Sequence, residues 1–226
     1  MGRPSTFSFP AASTTALAAS QTLASSGSLN LNGSLSTTGD LYTGFLPFNA
    51  RGSNVVCLAG IQRVCTLSSG ANLSGINFTW VGYDSQGLAV TEVLAGPSGN
   101  TVSTANEYAI VRSITSNAAV ASAVTAGTGA SGSTQWWPVN LDTVAGQITA
   151  MATVSATGTI NYTAQYTNDY PPTTASGTVN DGTIAAQTTT KLWNIGYQPG
   201  SIRLKINSSS GAGSLTFVVQ QSGLAV

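Results

Sequence analysis

The stretch from Asn72 to Gly99, NLSGINFTWVGYDSQGLAVTEVLAGPSG, constrains the fold more than any other part of the chain. Ile76, Phe78 and Trp80 alternate with Asn77, Thr79 and Val81, the period of two that a half-buried strand requires. Asp84-Ser85-Gln86-Gly87 follows as a four-residue turn. Asp at the first position bonds its own backbone, and Gly at the last takes a left-handed conformation. Leu88 to Leu94 returns as a strand of high β-propensity, and Gly96-Pro97 stops it because proline cannot donate to a ladder. A β-hairpin is therefore expected, with Asn77, Thr79 and Val81 on its outer face.

The same alternation recurs along the chain. Ser53–Leu58 and Gln62–Leu67 read as two strands around Ala59-Gly60-Ile61, and Asn106–Thr115 with Ala118–Ala126 as another pair. Gly146–Val154 and Thr159–Tyr166 are further strands. In Ser201–Ile206, Ile202, Leu204 and Ile206 share one face and Arg203 and Lys205 the other; Leu215, Phe217 and Val219 return after a Ser/Gly turn. That reads as an antiparallel pair with one solvated face, the two cations guarding it against edge-to-edge association. Thr14–Ala24 has helix-forming residues but no capping box, so an extended path is expected there, with a short strand at Ser28–Asn32 burying Leu29, Leu31 and Leu35. Ile76-Asn-Phe-Thr recurs as Ile160-Asn-Tyr-Thr, which suggests a duplicated β-unit. The expected architecture is all-β: an extended N-terminal arm (1–39), a first β-sandwich (40–127), a Gly/Ser linker (128–133, within GTGASGS) and a second sandwich (134–226). The sandwiches are jelly-roll-like or immunoglobulin-like.

Composition narrows function. Only 6% of the 226 residues are charged, and seven basic groups cancel seven acidic ones. An ordinary globular chain carries roughly 25%. No basic surplus exists to neutralise phosphate or an anionic membrane surface, so neither nucleic acid nor a membrane is expected as a partner. No apolar run reaches the length of a transmembrane helix, and MGRPSTFSFPAASTTALAAS has no continuous apolar core of the secretory kind. A surface so poor in charge has little colloidal protection and is expected to be covered by partners in an assembly.

Chemistry is hard to write with these residues. Histidine is absent, which removes the commonest general base and metal ligand. No serine sits in a nucleophile-elbow context, most Asp residues lie at turns, and no calcium-loop spacing occurs. No catalytic, cofactor or metal residue is assigned. Cys57 and Cys65 lie on consecutive expected strands, as buried thiols or as a cross-strand disulfide. The side chains best suited to contact other subunits are Trp136, Trp137, Trp193, Arg203 and Lys205. Trp136 and Trp137 are adjacent and so face opposite ways, one into a core and the other available as an anchor.

The stretch NLSGINFTWVGYDSQGLAVTEVLAGPSGNTVSTANEYAIVRSITS resembles a pattern found in β-rich virion structural proteins of tailed bacteriophages. There an LSG-apolar-x-F-T strand, a D-x-x-G turn, a T-E-x-apolar-x-G-P return and an apolar-x-S-I strand follow one another. The end, WNIGYQPGSIRLKINSSSGAGSLTFVVQQSG, is similar to the close of the same proteins. The resemblance spans Val55 to Gly127 and Ile148 to Gly223 and leaves the first 40 residues unmatched. It implies a non-enzymatic, oligomeric particle component of the virion, assembled in the host cytoplasm. A capsid decoration or cement protein is expected, bound to the major capsid protein or other virion subunits, with a trimer favoured. A tail, collar or fibre component is the alternative within the particle. A carbohydrate-binding adhesin using the aromatic residues is the alternative outside it.

Overall fold

Alternating Thr, Val, Ile and aromatic residues, with few strong helix signals, produce a chain whose regular elements are all β-strands among the described residues. The computed structural model describes residues 5–9, 11–37, 55–57, 61–139, 148–155, 158–169, 177–211 and 213–221. Its strands are β1 (Ser5–Phe9), β2 (Ser13–Leu23), β3 (Gly27–Ser28), β4 (Ser36–Thr37), β5 (Val55–Cys57), β6 (Ile61–Ser68), β7 (Asn77–Tyr83), β8 (Ala89–Ala95), β9 (Thr101–Tyr108), β10 (Ile110–Ser116) and β11 (Val120–Thr134). They continue with β12 (Trp137–Pro138), β13 (Ile148–Val154), β14 (Thr159–Thr167), β15 (Val179–Asn180), β16 (Lys191–Ile195), β17 (Ser201–Ser210) and β18 (Gly213–Gln221). The chain forms two compact units, one of residues 12–132, the other of residues 1–11 with 133–226.

In the 12–132 unit one sheet runs β4-β5-β10-β7-β8, with β3 also on β10, and a second ladder joins β11, β6 and β9, with β2 on β11. Every pairing given for these strands is antiparallel. Phe78 and Trp80 of β7 are buried, and the Trp80 ring lies 6.1 Å from that of Tyr108 on β9, where the two sheets meet. The hairpin forms as its residues dictate. Asn77 pairs with Ala95 and Tyr83 with Ala89; the Asp84 carboxylate accepts from the N–H groups of Gln86 (2.9 Å) and Leu88 (2.8 Å), and Gly87 sits at φ +81°.

In the other unit β1-β18-β13-β16 form one sheet, and β14 lies between β15 and β17 in another, with β12 on β17. Trp193 of β16 stacks on Phe217 of β18 at 6.3 Å and donates its indole N–H to Tyr166 of β14.

Several expected strand pairs change partners. β5 pairs with β10 and β6 with β9; β10 pairs with β7 and β11 with β2; β17 pairs with β14 and β18 with β13. Most strands stand where alternation puts them, but the expected strand Asn106–Thr115 is divided between the end of β9 and β10, and β17 runs through Ser208–Ser210, where the Ser/Gly content suggests a turn. Several successive strands pass to different sheets, so their apolar rows meet the facing sheet rather than their sequence neighbour. Cys57 and Cys65 consequently lie in different sheets, and Cys65 is a free buried thiol. The GTGASGS stretch marks the boundary between the two units, which falls between Gly132 and Ser133, but it is part of the strand β11 and not irregular chain. Its glycines admit close backbone approach, since a Cβ on Gly127 would lie 1.8 Å from the Ser13 carbonyl oxygen and one on Gly132 2.2 Å from that of Gln62. The described part of the N-terminal stretch is not one extended run: after β2 the chain bends at 24–26 and folds back, so that the N–H groups of Gly33 and Leu35 bond to the Leu17 and Ala16 carbonyls. The strand expected at Ser28–Asn32 is reduced to Gly27–Ser28; β1 pairs with β18 and β2 with β11, with Phe9, Leu17, Leu29 and Leu31 buried and Leu35 half-buried. Residues 38–54, which end the expected arm and open the expected first sandwich at 40, lie outside the described residues.

Candidate functional site

Three surfaces carry the side chains singled out above. The first is aromatic. Tyr166 on β14 donates its hydroxyl to Asp181 Oδ2 and accepts from Trp193 Nε1 at 2.9 Å. The other carboxylate oxygen of Asp181 accepts from the backbone and hydroxyl of Thr183 (2.7 Å each) and from Ile184 N–H (3.0 Å). Burial pulls the Asp181 pKa upward, but these donors outweigh it and hold the carboxyl below its ordinary range. Burial, reinforced by the Asp181 hydrogen bond, pushes the Tyr166 hydroxyl well above its ordinary value. Tyr197, 53% exposed, packs edge-on against Tyr166 at 5.6 Å. Trp193 is buried inside this arrangement, and Tyr197 is the ring that reaches solvent.

The second surrounds Arg203. Alternation puts it outward with Lys205, yet Arg203 is only 9% exposed and Lys205 half-buried. β17 has β14 on one side and, on the other, β12 beside Ser201 and Ile202 and the Ser133–Thr134 end of β11 beside Arg203 and Leu204, instead of forming half of a solvated hairpin. The guanidinium lies 4.4 Å from the centroid of Trp136, donates Nε–H to Gln165 Oε1 at 2.8 Å and reaches Ser133 Oγ at 3.3 Å. Gln165 in turn donates to Asn180 Oδ1, so one polar row crosses β17, β14 and β15. Trp136 is buried beneath the guanidinium, and Trp137, which pairs with Ile202, is half-exposed. Of the five residues chosen from sequence, the structure joins Trp136 to Arg203 and places Trp193 in the Tyr166 cluster.

The third is the outer face of the β7–β8 hairpin. Asn77, Thr79 and Val81 face Ala95, Val93 and Thr91, and Thr115 of β10 stands beside Thr79. These rows carry no charged side chain, and Val93 is 62% exposed; the face ends at Tyr83, which stands opposite Ala89 and whose hydroxyl accepts from the exposed Arg112 at 3.3 Å. On the opposite face Glu92 accepts from the backbone N–H groups of Ala105 (2.7 Å) and Asn106 (2.9 Å) of β9.

Arg63, absent from the sequence candidates, is 1% exposed and donates Nη2–H to the Gly129 carbonyl. Burial lowers its pKa to about 10 and pushes the Cys65 thiol up. The signal was present: in IQRVCTLS, Arg63 shares a row with Ile61, Cys65 and Leu67. Asp181 gave no such signal, because its Asn-Asp-Gly setting looks like any turn. Among the described residues no group of three or more Cys, Asp or Glu could hold a metal ion, and no helix is long and apolar enough to cross a membrane.

Set against known proteins, the chain matches no family model, no curated protein and no solved structure.

Proposed function

We propose that this chain is a non-enzymatic structural subunit of a tailed-phage virion: a capsid decoration or cement protein that oligomerises and stabilises capsomer contacts. The observation that carries the reading is the outer face of the β7–β8 hairpin, where uncharged rows leave Val93 in solvent. Such a face is poorly suited to an isolated soluble chain and well suited to burial against other subunits. The sequence resemblance supplies the particle, and the same hairpin carries that resemblance. In finer architecture, each unit is read as one antiparallel sandwich, jelly-roll-like or immunoglobulin-like, and an N-terminal arm precedes them.

Cryo-electron microscopy of intact particles tests this directly. Density for the chain at capsomer junctions supports the decoration role. Density confined to tail, collar or fibre transfers the chain to that part of the particle, and its absence from particles removes the structural reading. One observation favours a carbohydrate-binding reading, the exposed Tyr197 ring beside the Asp181 carboxylate. Glycan binding by the purified chain that Tyr197→Ala abolishes would establish it.

A further inference from the structure

Among the described residues, the large apolar side chains left exposed are Leu88, Val93, Val179, Leu192 and Tyr197. All five lie on or beside strands that end a sheet: β8, β15 and β16. β8 is the best developed of these edges. The bonds from Asp84 N–H to Leu88 O and from Gly96 N–H to Ile76 O fix which hairpin residues bond across the ladder. By that alternation Val90, Glu92 and Leu94 bond to β7, while Ala89, Thr91, Val93 and Ala95 turn their N–H and C=O groups away from it. Among the described residues none of those four has a hydrogen-bond partner on that side.

Natural edges are commonly guarded by Lys, Pro, a bulge or a covering group. β8 has an unbroken register, no Pro and no Lys, and its one charged residue, Glu92, is spent on the backbone of β9. Among the described residues, part of the β9 edge is therefore covered and that of β8 is left open.

We infer that the free edge of β8 pairs antiparallel with β8 of a second copy, about a two-fold axis through Val93. Charge favours the same chain as occupant. The formal net charge is zero, so two copies do not repel at long range, and the row that would be apposed, Ala89-Thr91-Val93-Ala95, has no charge. Charge excludes one register, and the 62% exposure of Val93 chooses among those that remain. Centring on Glu92 would place it in the close, non-bonded position opposite its own copy, a like-charge contact. Centring on Val93 sets Glu92 opposite Leu94, joins Thr91 to Ala95, and buries Val93 against itself. The inference shares with the proposed function only the existence of further copies, and a two-fold contact here leaves other faces for higher assembly.

The test uses the full chain in solution, by sedimentation velocity and residue-resolved amide hydrogen exchange over a range of concentrations. The expected result is a dimer in which the Thr91, Val93 and Ala95 amides are protected and the Ala89 amide is not. Thr91→Pro removes an edge N–H that β7 does not use, and Val93→Lys installs a charge on the axis; each is expected to abolish both dimer and protection. Should the proline variant fail to fold, the lysine variant alone decides. A wild-type chain that stays monomeric, or a dimer in which those three amides exchange as fast as Ala89, overturns the inference. So does protection that appears only on whole particles, which would assign the edge to a different chain. A monomer in solution leaves the particle reading standing, and absence from particles leaves the dimer standing.

Discussion

Gly127→Ala separates a flexible tether from a packed strand by the sign of its effect. In a flexible Gly/Ser tether the added methyl meets nothing and restricts folded and unfolded chain alike, so stability is unchanged or rises by no more than about 0.5 kcal/mol. In β11 the new Cβ would stand 1.8 Å from the Ser13 carbonyl oxygen and 2.6 Å from Thr14 Cα, all backbone, where ordinary contact begins at 3.4 Å. Restoring that contact moves one strand by about 1.6 Å (3.4 − 1.8), enough to carry a 2.9 Å hydrogen bond beyond bonding range. The strands most affected are β2 and β11, paired through Thr128 and Ser13 and through Ala126 and Ala18; β2 also buries Ala16 and Leu17. Overpacking of this kind costs about 1–3 kcal/mol, so the expected result is destabilisation of at least ~1 kcal/mol with faster amide exchange along β2. Chemical denaturation followed by circular dichroism gives the first readout and hydrogen exchange the second. Gly70→Ala is the control, because a Cβ there meets nothing within 4 Å. A neutral or stabilised Gly127→Ala with β2 protection intact would refute the strand argument.

Tyr166→Phe removes the donor to Asp181 and strands the buried Trp193 N–H, for an expected loss of about 2–4 kcal/mol in the unfolding of that unit. The depressed Asp181 pKa contributes stability that is present above the unfolded carboxyl value and is lost as pH falls through the folded one. The phenylalanine variant should therefore show a shallower acid limb in a pH series of denaturation midpoints, and an unchanged limb would count against the cluster. Arg203→Met should cost about 1–3 kcal/mol through the stranded Gln165 acceptor and the lost Trp136 stack, whereas a solvated arginine would change stability by less than about 0.5; thermal unfolding distinguishes the two. Gly87→Ala should cost about 1–2 kcal/mol from its φ of +81°, read by the same denaturation series.

Strand positions were largely legible, because period-two alternation is a local property. Ile76 to Leu94, Thr159 to Tyr166 and Ser201 to Ile206 all contain the strands they announce. Pairing was legible only where a short turn dictates it, as Asp84-Gly87 does for β7 and β8. Elsewhere the partner is chosen by which sheet buries the apolar row, a long-range matter that a local pattern does not encode. Arg203 shows the consequence. Its row reads as solvated while β17 is taken for half of a hairpin, and the same side chain is enclosed once β14 and Trp136 flank it. Gly127, Gly129 and Gly132 mislead for a related reason: glycine is the signature of flexibility and equally of close backbone approach, and only the facing strand tells which applies.

This bears on how so weakly charged a chain would engage its neighbours. An N-terminal arm that reaches another subunit must keep its apolar residues for that subunit. Here Phe9, Leu17, Leu29 and Leu31 are already buried, and β1 and β2 are hydrogen-bonded to β18 and β11. Among the described residues, what remains unspent is at the sheet edges: Val93 on β8, Val179 on β15 and Leu192 on β16. Main-chain pairing at an edge supplies directional bonds without requiring charged side chains. A chain with seven cations and seven anions in 226 residues has few other means of specific association, and this is the physical reason to look for its contacts along strand edges before its termini.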